Sequence, residues 1–76
     1  MKVYVLTCIN ADSELVFARV FRTKKEAQSS MRRSVESMRL HFEENYGECY
    51  KEMENDGAAI GNESKCFIYD ITEAEL

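Results

Sequence analysis

One histidine, three cysteines and fourteen carboxylates are the side chains of this 76-residue chain best suited to chemistry. His41 paired with Cys49 would make a thiolate nucleophile, the imidazole taking the thiol proton, but no local motif supports that pairing. Cys8, Cys49 and Cys66 stand 41 and 17 residues apart, whereas a closed zinc site needs four ligands, usually from close pairs such as C-x2-C. A structural metal is therefore not expected, and the three thiols read as small buried hydrophobes. Gly47, Gly57 and Gly61 match neither the phosphate-loop nor the dinucleotide spacing. Glu48, Glu52, Glu54 and Asp56 miss the D-x-D-x-D-G order of a calcium loop. A carboxylate pair acting as in glycoside hydrolysis needs a cleft that so short a chain hardly encloses. The expectation is a protein with no catalytic residue, no metal and no cofactor, working by binding.

Charge is the stronger signal. Residues 1–42 carry eight basic side chains against four acidic ones, and residues 43–76 carry ten acidic against two basic, within a net charge of −4. The acidic run Glu43, Glu44, Glu48, Glu52, Glu54 and Asp56 can imitate the charge line of a nucleic-acid backbone and so occupy the basic groove of a nucleic-acid-handling protein. The opposite reading uses Arg22, Lys24, Lys25, Arg32, Arg33 and Arg39 on phosphates, with Tyr4 and Phe17 alongside. A sequence pI near 4.9 weighs against direct nucleic-acid binding.

The elements that must position these groups follow from periodicity. Lys2 to Ile9 alternates as a strand that is apolar on both faces, so it belongs inside a sheet. Asn10-Ala11-Asp12-Ser13 turns it into a second strand, Glu14 to Phe21, with Val16, Ala18 and Val20 on one face and Leu15, Phe17 and Phe21 on the other. Thr23-Lys24-Lys25-Glu26 is a capping box that starts a long helix. Its buried stripe is Ala27, Met31, Val35 (or Ser34), Met38, Phe42 and then Asn45 or Tyr46, and Gly47 ends it in the left-handed conformation. Glu48 to Glu54 reads as a strand, with a helical continuation as the competitor. Asn55-Asp56-Gly57 reads as a tight turn with positive φ, and Ala58 to Ile60 as a short strand. After a turn at Gly61-Asn62-Glu63-Ser64, Lys65 to Ile71 forms the last strand, with Phe67, Tyr69 and Ile71 opposed to Cys66 and Ile68.

The resulting order is β-β-α-β-β-β, a single α+β domain over residues 1–76 with an antiparallel sheet of four or five strands packed on one long helix. One helix covers only one sheet face. The other face, expected to hold some of Tyr4, Leu6, Phe17 and Ile68, is then a homodimer or partner surface. No apolar stretch approaches the roughly 20 residues that cross a bilayer. An odd cysteine count without a secretory leader points to a reducing cytoplasm.

The opening Lys2-Val3-Tyr4-Val5-Leu6-Thr7, the helix start Phe21-Arg22-Thr23-Lys24-Lys25-Glu26-Ala27 and the ending Ile68-Tyr69-Asp70-Ile71-Thr72-Glu73-Ala74-Glu75-Leu76 resemble a loose family of small uncharacterised α+β proteins of gut bacteria, phages and mobile elements. Its members place a tryptophan or several aromatics in the last strand, where this chain has Phe67 and Tyr69. Small acidic proteins of that origin resemble inhibitors of host defence, anti-CRISPR proteins among them. The resemblance implies a protein-binding inhibitor and carries over no catalytic residue.

Overall fold

A computed structural model describes all residues, 1–76. The chain runs β1 (Lys2–Asn10), β2 (Leu15–Phe21), α1 (Lys24–Tyr46), β3 (Tyr50–Met53), β4 (Gly57–Gly61) and β5 (Cys66–Glu75). The strands form one five-stranded sheet in the order β2-β1-β5-β4-β3, every neighbouring pair antiparallel. It stays open, with β2 and β3 as its edges. The helix carries the chain from one edge to the other, so Glu52 of β3 and the adjoining Glu54 lie across the sheet from β2, while most basic side chains of the first half lie on the helix.

Local chemistry explains each boundary. Asn10 organises the first turn: its side-chain oxygen accepts from the backbone N–H groups of Asp12 and Glu14 at 3.0 Å each, and Ser13 takes the left-handed conformation at φ 63°. Thr23 caps α1 by accepting from the Glu26 N–H at 3.1 Å. The reciprocal half of the expected capping box takes another form, because the Glu26 carboxylate accepts from the Thr23 hydroxyl at 2.9 Å. Gly47 ends the helix at φ 76°, donating to the Glu43 carbonyl at 3.1 Å. That conformation suits a residue without Cβ.

The stretch after Gly47 is a strand, not a continuing helix, and Tyr50 to Met53 pairs with Gly61 to Ala58. The next turn and the last strand also differ from the sequence expectation. The turn at Asn55-Asp56-Gly57 uses no positive φ; the Glu54 N–H reaches the Gly57 carbonyl at 2.9 Å instead. The last strand runs on to Glu75, since its far half is paired with the start of β1 from Lys2↔Glu75 onward.

The helix buries Ala27, Met31, Val35 and Phe42 against Leu6 and Cys8 of β1, Ala58 and Ile60 of β4, and Tyr69 and Ile71 of β5. Met38, Tyr4, Phe17, Phe21, Cys49 and Phe67 pack around that core, half-buried. The Tyr69 and Ser34 hydroxyls share a hydrogen bond of 2.8 Å, so the phenol enters the core with its polar end satisfied.

This packing corrects the expected open face. Leu6 is fully buried beneath the helix, and Tyr4 and Phe17 share its side of the sheet. Of the four residues expected on the open side, Ile68 alone lies there. The open face is made by the other phase of β1, Val5, Thr7 and Ile9, in register with Val20 and Ala18 on β2 and with Thr72, Asp70 and Ile68 on β5. Val3, in the same phase at the end of β1 and paired with Ala74, is itself buried at 4% exposure. A bulge where β1 passes from Cys8 to Ile9 pairs Ile9 with Leu15 and leaves Val16 over. The bulge moves Leu15 out of phase with Phe17 and onto the open side.

Candidate functional site

The open face combines two kinds of group. Its β2 side is apolar: Val5 and Ile9 are half-buried, while Leu15, Val20 and Ile68 keep 63%, 61% and 44% of their surface in contact with solvent. Its centre is mixed, because Thr7, Asp70 and Thr72 of β1 and β5 lie among these apolar groups. Its β3 side is acidic. Glu52 stands in register with Ala59, which stands in register with Ile68, so all three occupy one line across the sheet. Glu54 and Asp70 join them around a shallow depression of about 280 Å³. The Thr72 hydroxyl donates to the Asp70 carboxylate at 3.4 Å, and neither Glu52 nor Glu54 forms an ion pair with the chain's own cations. An apolar surface edged by free carboxylates can pack on hydrophobic side chains while pairing with cations beside them.

The six carboxylates singled out in the sequence do not form one surface. Glu43 and Glu44 belong to the helix layer, and Glu43 accepts from Arg39 at 2.7 Å. Arg39 also engages Glu36, which holds the Glu36 carboxyl below its usual range and the guanidinium above its own. Asp56, in the β3–β4 turn, pairs with Lys24 at 3.0 Å. Glu48 lies in the connection before β3, exposed. Only Glu52 and Glu54 reach the open face. Asp70 was missed, although its signal was present in the alternation of β5, where Ile68, Asp70 and Thr72 share one phase.

His41 and Cys49 each engage another partner. The His41 ring nitrogen meets the Asn45 amide at 3.1 Å, whereas the Cys49 thiol donates to the Tyr50 carbonyl at 3.5 Å. Burial pushes the Cys8 thiol up, against a smaller opposing pull from the Tyr69 hydroxyl, so it stays protonated at neutral pH. Tyr69 is raised by the same burial. No three His, Cys, Asp or Glu side chains gather closely enough to hold a metal ion. No helix is long and apolar enough to cross a membrane.

On the helix side, a second concavity runs between α1 and the β2 edge, lined by Phe17 and Arg19 of the strand and by polar residues of the helix. Arg19 was also missed from sequence. It occupies the phase of Phe17 and Phe21, an arginine among core-facing aromatics. No family model, no curated protein and no solved structure matches this chain.

Proposed function

We propose that this protein is a non-enzymatic protein-binding module that docks through the open face of its sheet, with Glu52, Glu54 and Asp70 pairing with basic groups at the rim of the partner. One observation carries the reading: a five-stranded sheet is shielded by a helix on one side only, and the bare side presents Leu15, Val20 and Ile68 to solvent next to unpaired carboxylates. Contiguous exposed apolar surface of this kind marks interaction sites. The acidic margin selects a cationic partner, for which the basic groove of a nucleic-acid-handling protein is the fitting class. An inhibitor encoded by a phage or mobile element is the form of this reading that the small size and acidic margin suit. A net charge of −4 works against a second copy as the occupant.

The alternative, a nucleic-acid-binding regulator using the basic helix, loses two of its six cations to internal pairs, Lys24 with Asp56 and Arg39 with Glu36 and Glu43.

Capture from a lysate of the source organism, followed by rebinding of the identified partner in purified form, tests the proposal. The partner is expected to carry a basic surface, and Ile68→Asp or the pair Glu52→Lys, Glu54→Lys should each weaken it by about tenfold or more with the fold intact by circular dichroism. Binding unchanged in both variants would remove the open face from the account. Concentration-dependent self-association lost in Ile68→Asp would instead make the occupant a second copy. Gel shifts of DNA or RNA by the free protein that fade with salt would favour the alternative.

A further inference from the structure

The groove between α1 and β2 lies on the opposite side of the sheet from the proposed docking face and measures about 700 Å³, the largest concavity of the molecule. It lies between the helix and the edge strand β2. Phe17 and Arg19 form one wall, and Ser30, Arg33, Ser37 and His41 form the other. The helical wall has a pattern: Ser30, Ser34, Ser37 and His41 fall at steps of four, three and four, one continuous stripe of hydroxyls ending in an imidazole.

The electrostatics differ from the rest of the surface. No aspartate or glutamate lines the groove in a protein of net charge −4. Lys24 and Arg39 are tied to carboxylates, but Arg19 and Arg33 form no ion pair within the chain. The guanidinium carbon of Arg19 lies 5.6 Å from the centre of the Phe17 ring, so the cation is steadied by an aromatic face while its N–H donors stay free for a ligand. Ser34 is occupied by Tyr69, whereas no intramolecular hydrogen bond engages the hydroxyls of Ser30 and Ser37. Arg33 also borders the neighbouring depression toward Lys25, where the one carboxylate, Glu26, is held by Thr23.

One unpaired guanidinium on each wall, Arg19 on β2 and Arg33 on α1, with the free hydroxyls of Ser30 and Ser37, matches the needs of a phosphate dianion, which accepts several charge-assisted hydrogen bonds at once. The size of the groove is that of small-molecule sites, and Phe17 with Met38 offers an apolar wall for an organic body. We infer that the α1–β2 groove binds a metabolite-sized phosphate monoester, with Arg19 and Arg33 clamping the phosphate and Ser30 and Ser37 donating to its oxygens. The inference is independent of the docking proposal, since it uses other residues on the other side of the sheet.

Amide chemical-shift titration of the isotopically labelled protein at low salt tests it, with inorganic phosphate, adenosine monophosphate and ribose 5-phosphate as separate probes. Saturable shifts centred on Arg19, Ser30, Arg33 and Ser37 are expected for both monoesters. A stronger response to adenosine monophosphate than to ribose 5-phosphate identifies a nucleotide as the monoester, and the reverse order a sugar phosphate. The double variant Arg19→Ala, Arg33→Ala should weaken binding by about tenfold or more, and Arg32→Ala, an exposed helical arginine outside the groove, should leave it unchanged. The proposal is overturned by a flat titration with every monoester up to millimolar concentration, or by equal loss in Arg32→Ala. Binding of a short oligothymidylate without binding of either monoester would overturn it in favour of a nucleic-acid surface.

Discussion

The two faces of β1 are both largely apolar and meet opposite fates. On β1 the phase Tyr4, Leu6, Cys8 lies under the helix, and the phase Val5, Thr7, Ile9 lies on the open side. The covered phase is sealed: Leu6 and Cys8 are 0% exposed, as are Ala27 of the helix and Ile60 of β4. The open phase keeps substantial solvent contact at Val20 and Ile68. A strand with two apolar faces therefore states that both will be covered, and the fold itself covers one. The covered face accounts for the stability of a thin domain, and the bare face is left to solvent.

That contrast can be broken by substitution. Phe42→Ala should cost about 3–5 kcal/mol, because the ring fills the space between α1 and β5, its centroid 6.2 Å from that of Phe67. The matching truncation on the bare side, Ile68→Ala, should cost about 1 kcal/mol or less, since 44% of that residue is already in water. Urea unfolding of the two variants measures the difference, and equal costs would mean that the open face is covered in the free protein.

The next largest effect is expected at Gly61, the point where the open side is as tight as the core. A Cβ there would stand 2.2 Å from the Lys65 carbonyl oxygen and 2.8 Å from the Cys66 Cα, so backbone must move. Gly61→Ala should destabilise by about 1–3 kcal/mol, read as a lowered urea midpoint. Asn62, which holds the turn by accepting from the N–H groups of Ser64 and Lys65, should lose its order with it.

A smaller effect separates the thiols. Burial raises Cys8, so above the ordinary thiol pKa of about 8.5 the unfolded chain ionises first and binds fewer protons than the folded one. Stability should hold below that pH and fall as pH climbs through the raised value, with Tyr69 adding to the decline at still higher pH. Denaturation midpoints at pH 7 and above pH 9 check this, and Cys8→Ala should flatten the early part of the decline. Alkylation of the folded protein should reach half-buried Cys66 on the open face and spare Cys8.

The legibility of the fold follows the range of the interactions. The helix could be read because its signals are local: Thr23 and Glu26 at the start, Ala27, Met31, Val35 and Phe42 at core spacing, Gly47 at the end. The choice of covered face could not, because it depends on how α1 lands on a sheet whose strands are apolar on both sides. That one ambiguity misplaced Tyr4, Leu6 and Phe17 together. The bulge that flips Leu15 and the extension of β5 through Thr72-Glu73-Ala74-Glu75 are likewise set by cross-strand partners and not by the segments themselves. The candidate site suffered in the same way. Glu52 and Glu54 could be named, but their separation from Glu43, Glu44, Glu48 and Asp56, and the approach of Arg19 to the helical serines, arise only when distant segments meet.

The most direct measurement is methyl relaxation of the free, dilute protein by a soluble nitroxide. Val5, Val20 and Ile68 should be strongly relaxed, Leu6, Val35 and Ile60 should be shielded, and addition of the partner should protect the first group alone. Strong relaxation of Leu6 or Ile60, or silence at Val20 and Ile68 before any partner is added, would contradict the assignment of the bare face.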